Sequence, residues 1–408
     1  MGIKLDAIRA RKDEAAKYME QEIVHTIKSF GKRRPGSEGE TKAVHYMADK
    51  LREYGCDSVT VEPFDVHTGA FMGWIYFCMT VVLAAFGLYF VGERWSQIAA
   101  VCLIAIGLVL FVGEFVFYFK VIDPLYRKQT SHNVTAVKKP TGEVKQRIFY
   151  NGHPDVANEF TFSYHFGFKV YAAHFLGSLV GLGYFVTILV LQLTGILPRE
   201  TVLLLGYIGL IFVPFWVGMY FMSNPKMPVD GANDNLTACY MGIALMKELQ
   251  EQGIELEHTE VGVLITGSEE EGLRGAKAWA AAHQGEYQDV DTYFFCYDTI
   301  RERDYFAVNL KDLNGTVKAD AEAGEMFLQA AKTVGVKFSK GLVPFGGGAT
   351  DSAALAQGGF KSVGITGMNH NLERYYHTRE DSYDNLDLTA LADCFAVSTQ
   401  LLEDLENR

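Results

Sequence analysis

The stretch Thr266-Gly-Ser-Glu-Glu-Glu-Gly-Leu273 places three consecutive carboxylates in a turn. It follows the apolar run 261–265, which predicts a buried parallel strand, and precedes the Ala-rich segment Arg274–Ala282, which predicts a helix. Open α/β sheets place their sites at the carboxyl ends of such strands. Adjacent carboxylates repel one another, and a divalent metal ion is their usual partner, with one acid left free to carry protons. Taken alone, the stretch could also be a solvated acidic turn.

The composition of the whole chain limits the classes of protein to consider. Its 408 residues exceed one ordinary core, so either two units or one domain with insertions is expected. The net charge of −12, without a basic block, argues against nucleic acid as a partner. The six cysteines are scattered without a Cys-x-x-Cys pair, which favours reduced thiols in a cytosol-facing protein. Residues 1–28 are charged and amphipathic, so no signal peptide is expected there.

Three polar regions have the pattern of one α/β domain. Hydrophobic periodicity, together with start and stop residues, predicts both element types in them. The predicted helices cover residues 4–30, 40–54, 235–252, 319–333 and 388–407. The predicted strands cover residues 58–66, 132–138, 147–150, 261–266, 292–297 and 361–366. The polar regions on either side of the apolar segments all have this α/β pattern. The apolar segments are therefore interpreted as insertions into a single domain.

Four apolar runs interrupt the polar regions. Residues 70–92, 170–197 and 201–222 carry almost no charge, and 96–119 carries only Glu114. Each run is long enough to cross a hydrocarbon core of about 30 Å as a helix, and short polar loops join the runs in pairs. Buried helices of a large soluble core are the alternative, but four such runs, rich in aromatic residues near their ends, favour a membrane.

These runs predict two transmembrane hairpins, 70–119 and 168–222, inserted into a discontinuous domain made of 1–69, 120–167 and 223–408. Basic residues cluster after residue 119, whereas each inter-helix loop holds one arginine, so the polar domain is predicted to be cytoplasmic. Anchoring is the simplest role for the hairpins. Oligomerisation through small residues at 177–183, or delivery of membrane-derived peptides, remains open.

Metal-competent side chains recur where predicted strands end and in Gly-rich loops. They are His153 and Asp155 after the strand 147–150, Asp234 before a helix, Glu269 and Glu270 in the acidic turn, Asp298 after the strand 292–297, and His377 in the segment 375–381. Two imidazoles with several carboxylates suit two divalent ions, zinc first among them. Singly, each element could be a surface turn, a helix-capping loop or a core histidine.

The order of these elements resembles that of the di-zinc aminopeptidases of peptidase family M28. The family's motifs run His-x-Asp, Gly-Ala-x-Asp-Asn, Glu-Glu-x-Gly-Leu, a strand-ending Asp or Glu, and His-Thr-x-x-Asp. This chain has His153-Pro-Asp155, Gly231-Ala-Asn-Asp-Asn235, Glu269-Glu-Glu-Gly-Leu273, Asp298 and His377-Thr-Arg-Glu-Asp381. Arg34-Pro-Gly-Ser37 also resembles the family's amino-terminal segment. The resemblance covers roughly 20–66, 130–165 and 226–405, and implies a three-layer sandwich around a mostly parallel mixed sheet.

The resemblance also implies roles for single residues. Two zinc ions per chain are expected, with manganese or cobalt as alternatives. The implied ligands are Asp234 bridging both ions, His153 and Asp298 on one ion, and Glu270 and His377 on the other. Glu269 and Asp155 are the implied catalytic residues, Glu269 as general base and Asp155 as the carboxylate that orients His153. Asp381 is expected to act similarly near His377, and a cis peptide bond is expected after Asp234.

The chain departs from the family pattern near the expected oxyanion donor. Ser352 follows Asp351 where histidine is common, and glycines occupy 346–348 where some relatives have a tyrosine that polarises the scissile carbonyl. Tyr375 and Tyr376 are therefore the alternative donors. Pro154 and Val156 also differ from the residues usual around His-x-Asp.

These features predict a membrane-anchored di-zinc aminopeptidase that acts on peptides with a free amino terminus. One alternative is a glutaminyl cyclase-like transferase with one zinc ion, which the presence of both His153 and Asp298 disfavours. A second is an inactive receptor or scaffold, although no expected ligand is missing. A small-solute transporter is a third, but the four spans contain few ionisable residues.

Overall fold

A computed structural model describes residues 3–369 and 374–408 of the chain. By contact clustering the chain divides into two units. The first comprises Met1–Thr68, Lys128–Ala157 and Pro228–Arg408, and the second comprises Gly69–Arg127 and Asn158–Met227. The α/β elements lie in the first unit and the long apolar helices in the second.

The strands and helices follow in chain order. The strands are β1 Ser58–His67, β2 Lys128–Lys138, β3 Gln146–Gly152, β4 Asn158–Phe160, β5 Ser223–Pro228, β6 Thr259–Ile265, β7 Asp291–Ile300, β8 Phe306–Asn309, β9 Lys311–Asp312, β10 Val317–Lys318, β11 Ser339–Gly341 and β12 Lys361–Gly367. The helices are α1 Asp6–Ala10, α2 Lys12–Phe30, α3 Glu38–Glu53, α4 Ala70–Val91, α5 Arg94–Leu110, α6 Thr161–Phe166, α7 Phe168–Thr194, α8 Arg199–Gly209, α9 Val213–Gly218, α10 Thr237–Glu251, α11 Arg274–Ala282, α12 Ala321–Thr333, α13 Asp351–Gln357 and α14 Leu388–Glu406.

An eight-stranded mixed sheet with the order β1-β2-β6-β3-β7-β12-β8-β11 organises the first unit. The neighbouring pairs β6–β3, β3–β7, β7–β12 and β8–β11 are parallel, whereas β1–β2, β2–β6 and β12–β8 are antiparallel. The central strands are apolar almost throughout, as expected for strands that are covered on both faces. This order places the carboxyl ends of β6, β3 and β7 side by side.

Alternating side chains of the central strands enter two different cores. On β7, Tyr293, Phe295 and Tyr297 pack in the larger cluster with α2, α10, α12 and α14, whereas Phe294 and Cys296 pack with Trp279 of α11 and Leu355 of α13. This alternation is the two-residue period of a strand, and it produces helix layers on both faces of the sheet. The predicted α/β three-layer sandwich around a mixed sheet is therefore confirmed.

Two local expectations need correction. The helix expected over 4–30 is divided at Arg11 into α1 and α2. The strand expected to end at Tyr297 continues to Ile300, because Thr366 and Gly367 of β12 extend the ladder alongside it. Asp298 consequently lies within the last three residues of β7 and not after the end of the strand.

The second unit contains four helices of the described chain that are long and apolar enough to cross a membrane: Ala70–Val91, Arg94–Val116, Phe168–Thr194 and Arg199–Phe221. Their inward faces share an aromatic core that includes Trp74, Phe86, Phe185 and Trp216. Many outward apolar side chains are exposed, which fits a lipid-facing surface.

Candidate metal centre

The candidate residues lie where three neighbouring strands of the sheet end. His153 follows β3, the acidic turn of Glu269 and Glu270 follows β6, and Asp298 lies near the end of β7. Since these strands are parallel neighbours, the loops that follow them emerge at one edge. The loop before α10 adds Asp234, and the segment before α14 adds His377.

These side chains form two adjacent clusters that could each hold a metal ion. The ligand atoms of His153, Glu269 and Asp298 lie within 4.8 Å of one another, as do those of Asp234, Glu270 and His377. The Asp234 carboxylate joins the clusters, because its Oδ1 lies 3.5 Å from His153 Nε2 and its Oδ2 lies 3.1 Å from His377 Nε2. The structure thus brings all six of these sequence-predicted residues together.

The two glutamates of the acidic turn contact different histidines. Glu269 Oε2 lies 3.7 Å from His153 Nε2, and Glu270 Oε1 lies 3.4 Å from His377 Nε2. Adjacent positions in a turn point in different directions, so one glutamate faces each cluster. Either glutamate is therefore within reach of an ion or of a water molecule in its own cluster.

Asp155, the remaining predicted site residue, is buried beneath the centre. Its two oxygens accept the backbone N–H groups of Glu269 and Glu270, each at 3.0 Å. Its Oδ1 also lies 3.4 Å from His153 Nδ1, the ring nitrogen that does not face the clusters. One carboxylate thereby holds the acidic turn against the loop that carries His153.

The donor set and the burial of its members fit divalent metal ions. His153 Nε2 is buried and has no hydrogen-bond partner among residues 3–369 and 374–408, although three carboxylates surround it. Burial and the charge of Asp234 raise the pKa of Asp298 well above its ordinary value, and burial with the charge of Glu270 raises that of Glu269 against the effect of His153. Cations would offset this repulsion, and imidazole with carboxylate is a zinc donor set.

Asp381 has a different place from the one expected. Its Oδ1 accepts hydrogen bonds from the Asn233 backbone and side chain at 2.8 and 2.9 Å, and its Oδ2 accepts the Asp234 N–H at 3.1 Å. These hydrogen bonds hold the loop that carries Asp234. The peptide bond between Asp234 and Asn235 is cis, as the resemblance implied.

The two tyrosines before His377 have different surroundings. The Tyr375 hydroxyl donates to Glu302 Oε2 at 3.0 Å, and its ring lies under the Arg301 guanidinium. The Tyr376 ring stacks on His377 with 4.0 Å between ring centroids. Burial raises the pKa of Tyr376, and the charges of Asp234 and Glu270 raise it further. Tyr376 is thus the tyrosine that lies at the metal centre.

Gly348 lies beside the hydroxyl of this tyrosine. A Cβ atom added to Gly348 would lie 3.5 Å from the Tyr376 hydroxyl oxygen. Gly348 also has φ +94°, a conformation that L side chains rarely adopt.

Asp351, at the start of α13, accepts a hydrogen bond from the Thr266 hydroxyl just before the acidic turn, and burial raises the pKa of Asp351 to about 6.

Sequence reasoning missed two buried charges that hold the loops of the centre. Arg33 donates to Pro154 O at 2.7 Å and to Asp230 O at 2.5 Å, so it joins the loop of His153 to that of Asp234. Glu40 accepts the backbone N–H of Ser268, next to Glu269. Their proximity to Arg34-Pro-Gly-Ser37 was the available signal, but the motif does not say what either side chain contacts.

Comparison with known proteins supports the reading of these motifs. The model of peptidase family M28 matches residues 217–402. This match assigns the segment 217–402, and not the whole chain, to the pattern of peptidase family M28. The match covers the M28 motifs from Gly231 to Asp381, whereas His153 and Asp155 lie before it. No curated protein matches the sequence.

Solved structures show the same fold at low identity. A zinc aminopeptidase from Bacillus subtilis has 14% identity and a TM-score of 0.57, with 96% of this chain and 95% of that chain covered. An aminopeptidase from Aneurinibacillus sp. strain AM-1 has 15% identity and a TM-score of 0.55, with 95% and 93% covered. A glutaminyl cyclase from Bacteroides thetaiotaomicron has 12% identity and a TM-score of 0.54, with 96% and 97% covered. Since aminopeptidases and cyclases share this fold, the fold does not distinguish between their reactions.

Proposed function

We propose that this protein is a membrane-anchored, di-zinc aminopeptidase that removes the amino-terminal residue from peptides. The observation that carries the proposal is the Asp234 carboxylate, whose two oxygens face the two histidines of adjacent clusters. A bridging carboxylate between two imidazole–carboxylate sets is the arrangement that a pair of divalent ions requires. The family and the zinc aminopeptidases of the same fold add independent support.

The residues have separate roles in this proposal. His153 and Asp298 would hold one ion, Glu270 and His377 would hold the other, and Asp234 would contribute a carboxylate oxygen to each. Zinc held by these residues would supply Lewis-acid polarisation of the scissile carbonyl and of the attacking water. Glu269 accepts a proton from that water as its oxygen bonds to the carbonyl carbon, and returns the proton to the amine when the C–N bond breaks. Asp155 orients His153 and the acidic turn through the contacts described above.

The substrate's amino terminus accounts for exopeptidase action. A protonated amine is attracted to a centre with this excess of buried carboxylates, whereas the interior of a peptide offers no such charge. The predicted partner is therefore a peptide with a free amino terminus. No role for nucleic acid is proposed, since the chain has a net charge of −12.

Tyr376 is the oxyanion donor in this proposal. Its ring stacks on His377, and its hydroxyl lies near Gly348. Tyr376→Phe is expected to lower kcat about 100-fold with little change in KM, because the hydroxyl acts on charge that develops in the transition state. Tyr375→Phe is the matched control and should leave kcat nearly unchanged, since Tyr375 donates to Glu302. Equal losses in both variants would contradict the assignment.

The decisive experiment measures metal content and activity together. Three detergent-purified proteins are compared: the parent, its Glu269→Ala variant and the exposed-site control Glu143→Gln. Each is analysed for zinc content. Each is also assayed on aminoacyl-anilides and on peptides with amino-terminal glutamine. Two zinc ions in all three proteins, with anilide hydrolysis lost only in Glu269→Ala, is the expected result. One zinc ion with glutamine cyclisation would indicate a cyclase. Absence of bound metal and of activity in every protein would refute the metal centre.

The membrane part of the proposal has its own test. The peptidase domain is taken as 1–69, 120–167 and 223–408, with the hairpins 70–119 and 168–222 as membrane anchors and the domain on the cytoplasmic side. An epitope inserted after Gly195, between two spans, should bind antibody on intact cells. An epitope after Arg408 should bind only after permeabilisation. The reverse pattern would contradict the orientation, and extraction of the protein by alkaline carbonate would contradict membrane anchoring.

A further inference from the structure

We propose that Glu40 is a positioning residue that holds the acidic turn in the conformation required by Glu269 and Glu270. This inference rests on the proposed function, because it concerns the same centre. Glu40 lies on α3, 228 positions before the residue that it contacts, and outside the segment matched by the family model. Its carboxylate is fully buried.

The acidic turn begins with a strained residue. Ser268, directly before Glu269, has φ +55° and ψ 42°, which is the left-handed helical region. For a residue other than glycine this conformation is unfavourable by about 1–2 kcal/mol. The conformation therefore persists only where surrounding contacts stabilise it. The direction in which Glu269 leaves the turn follows from this backbone conformation.

Glu40 provides those contacts. Its Oε1 accepts the Ser268 N–H at 2.7 Å and the Ser268 hydroxyl at 3.0 Å, and its Oε2 accepts the Gly36 N–H at 2.6 Å. A buried carboxyl group requires such hydrogen bonds, because burial without them is costly. Glu40 therefore stabilises Ser268 in the left-handed conformation at both its backbone and its side chain.

Side chains from distant segments hold the amino-terminal half of the turn. Asn133 Oδ1 accepts the Gly267 N–H at 3.1 Å, Glu40 accepts that of Ser268, and Asp155 accepts those of Glu269 and Glu270. Four consecutive N–H groups thus donate to buried side-chain oxygens. Backbone hydrogen bonds to Ser268 O and Glu269 O shape the second half of the turn, so the three side-chain acceptors act on its first half.

Glu40 is not occupied in capping its own helix. Ser37 is the N-cap of α3 and accepts the Glu40 N–H at 3.3 Å. In a capping box the glutamate side chain would accept the Ser37 N–H in return. Here the Ser37 N–H donates to Arg34 O at 2.9 Å instead. The carboxylate is consequently available for Ser268.

The test compares Glu40→Ala and the isosteric Glu40→Gln with Glu38→Ala, an exposed glutamate in the same helical turn. At saturating zinc, kcat on an aminoacyl-anilide should fall about 10- to 100-fold in Glu40→Ala and less in Glu40→Gln, with KM within about twofold. Zinc affinity, measured by competition with a chromophoric chelator, should fall over the same range because Glu270 shares the turn. Glu38→Ala should match the parent protein in both.

Rescue separates positioning from general destabilisation. Glycine adopts the left-handed conformation without strain, so adding Ser268→Gly to Glu40→Ala should restore at least a tenth of the parent kcat and zinc affinity. A role in stability alone would lower the unfolding temperature while leaving kcat unchanged at a temperature where the variant is folded, and would overturn the inference. Failure of Ser268→Gly to restore either quantity in folded protein would also overturn it.

These readouts distinguish this inference from the proposed function. If the parent protein hydrolyses no peptide but Glu40→Ala weakens zinc binding and Ser268→Gly restores it, the positioning role stands and the aminopeptidase proposal fails. If the parent is active and Glu40→Ala changes neither kcat nor zinc affinity, the aminopeptidase proposal stands and the positioning role fails.

Discussion

Arg33 illustrates how one buried side chain can set the spacing of two candidate metal ligands. Its guanidinium donates to backbone carbonyls of the His153 loop and of the Asp234 loop, and its own carbonyl accepts the Val156 N–H at 3.1 Å. Burial lowers its pKa, since none of these acceptors carries a full charge. Only a planar fork of donors can reach both loops at once.

Replacing Arg33 by lysine should therefore weaken the metal centre. A lysine retains the charge but cannot bond both loops, so we expect zinc affinity to fall about 10- to 100-fold and the protein to lose about 1–3 kcal/mol of stability. Chelator competition and thermal unfolding in detergent measure the two effects. Arg52→Lys, at an exposed site paired with Asp49, is the control and should change neither. Unchanged zinc affinity in Arg33→Lys would show that the loops keep their spacing without it.

His283 gives a pH dependence away from the metal centre. Its Nε2 lies 3.0 Å from Glu62 of β1, and its Nδ1 lies 2.6 Å from Glu286. Burial lowers the His283 pKa, but the hydrogen bonds to Glu286 and Glu62 outweigh burial and raise it above the ordinary value. A raised pKa in the folded state means that this stabilisation is complete below the unfolded pKa and is lost as the pH rises through the folded value.

We accordingly expect His283→Gln to cost stability at pH 5.5–6 and much less at pH 9. The difference should be about 1 kcal/mol or less, because these pairs are partly solvated. Thermal unfolding of both proteins across this pH range measures it. A cost that stays constant with pH would mean that the ring contributes by packing on Trp279 and not by charge.

At the scale of elements, small residues determine how the apolar helices pack. On α7, a Cβ atom added to Gly177 would lie 2.4 Å from the Phe215 ring, and one added to Gly181 would lie 2.7 Å from Phe212. Both glycines thus admit aromatic side chains of the same unit. This packing occupies much of the 177–183 surface that the sequence suggested for oligomerisation, whereas Gly183 has nothing within 4 Å of an added Cβ.

Gly181 and Gly183 therefore form a matched pair for mutation. Gly181→Ala should destabilise the second unit by about 1–3 kcal/mol, because Phe212 must move to admit the methyl group. Gly183→Ala should be neutral or slightly stabilising, because alanine is the better helix former. Thermal unfolding in detergent, followed by tryptophan fluorescence, compares them. Equal effects of the two substitutions would contradict this helix contact.

At the scale of the whole molecule, bound metal should contribute to the stability of the first unit. The centre gathers buried carboxylates from separate loops, and their repulsion opposes folding unless cations are present. Removal of metal by a chelator is expected to lower the unfolding temperature of the first unit. At a free zinc concentration of 100 times Kd, the stabilisation is about 2.7 kcal/mol.

Differential scanning calorimetry with chelator, and again after zinc is added back, measures this contribution. The chelator should have no effect on Asp234→Ala, which has lost the carboxylate that joins the two clusters. If the unfolding temperature of the wild-type protein changed with neither chelator nor zinc, a structural contribution of the metal would be contradicted. Lower pH should also weaken binding, since His153 and His377 must be neutral to act as ligands.

The sequence by itself determined the features that depend on local pattern. Periodicity located α11 and the span of α12 to within two residues, and apolar run length located the four long helices. The predicted helices and strands indicated an α/β domain, and the resemblance to family M28 implied its three layers. The motif order also identified the residues that the structure brings into two clusters, while their roles remain predictions. These signals are readable because each depends on residues close together in the chain.

Only the tertiary structure decided which distant residues hold the centre in shape. The sheet order β6-β3-β7 brings three loops to one edge, and this order follows from long-range pairing that no local pattern encodes. Tyr376 rather than Tyr375 lies at the clusters, because Tyr376 stacks on His377 whereas the Tyr375 hydroxyl donates to Glu302. Asp381 holds the Asp234 loop, and Glu40 reaches Ser268 across 228 positions. Hydrogen bonds between segments so far apart exist only once the chain has packed, and so they could not be read from the residues alone.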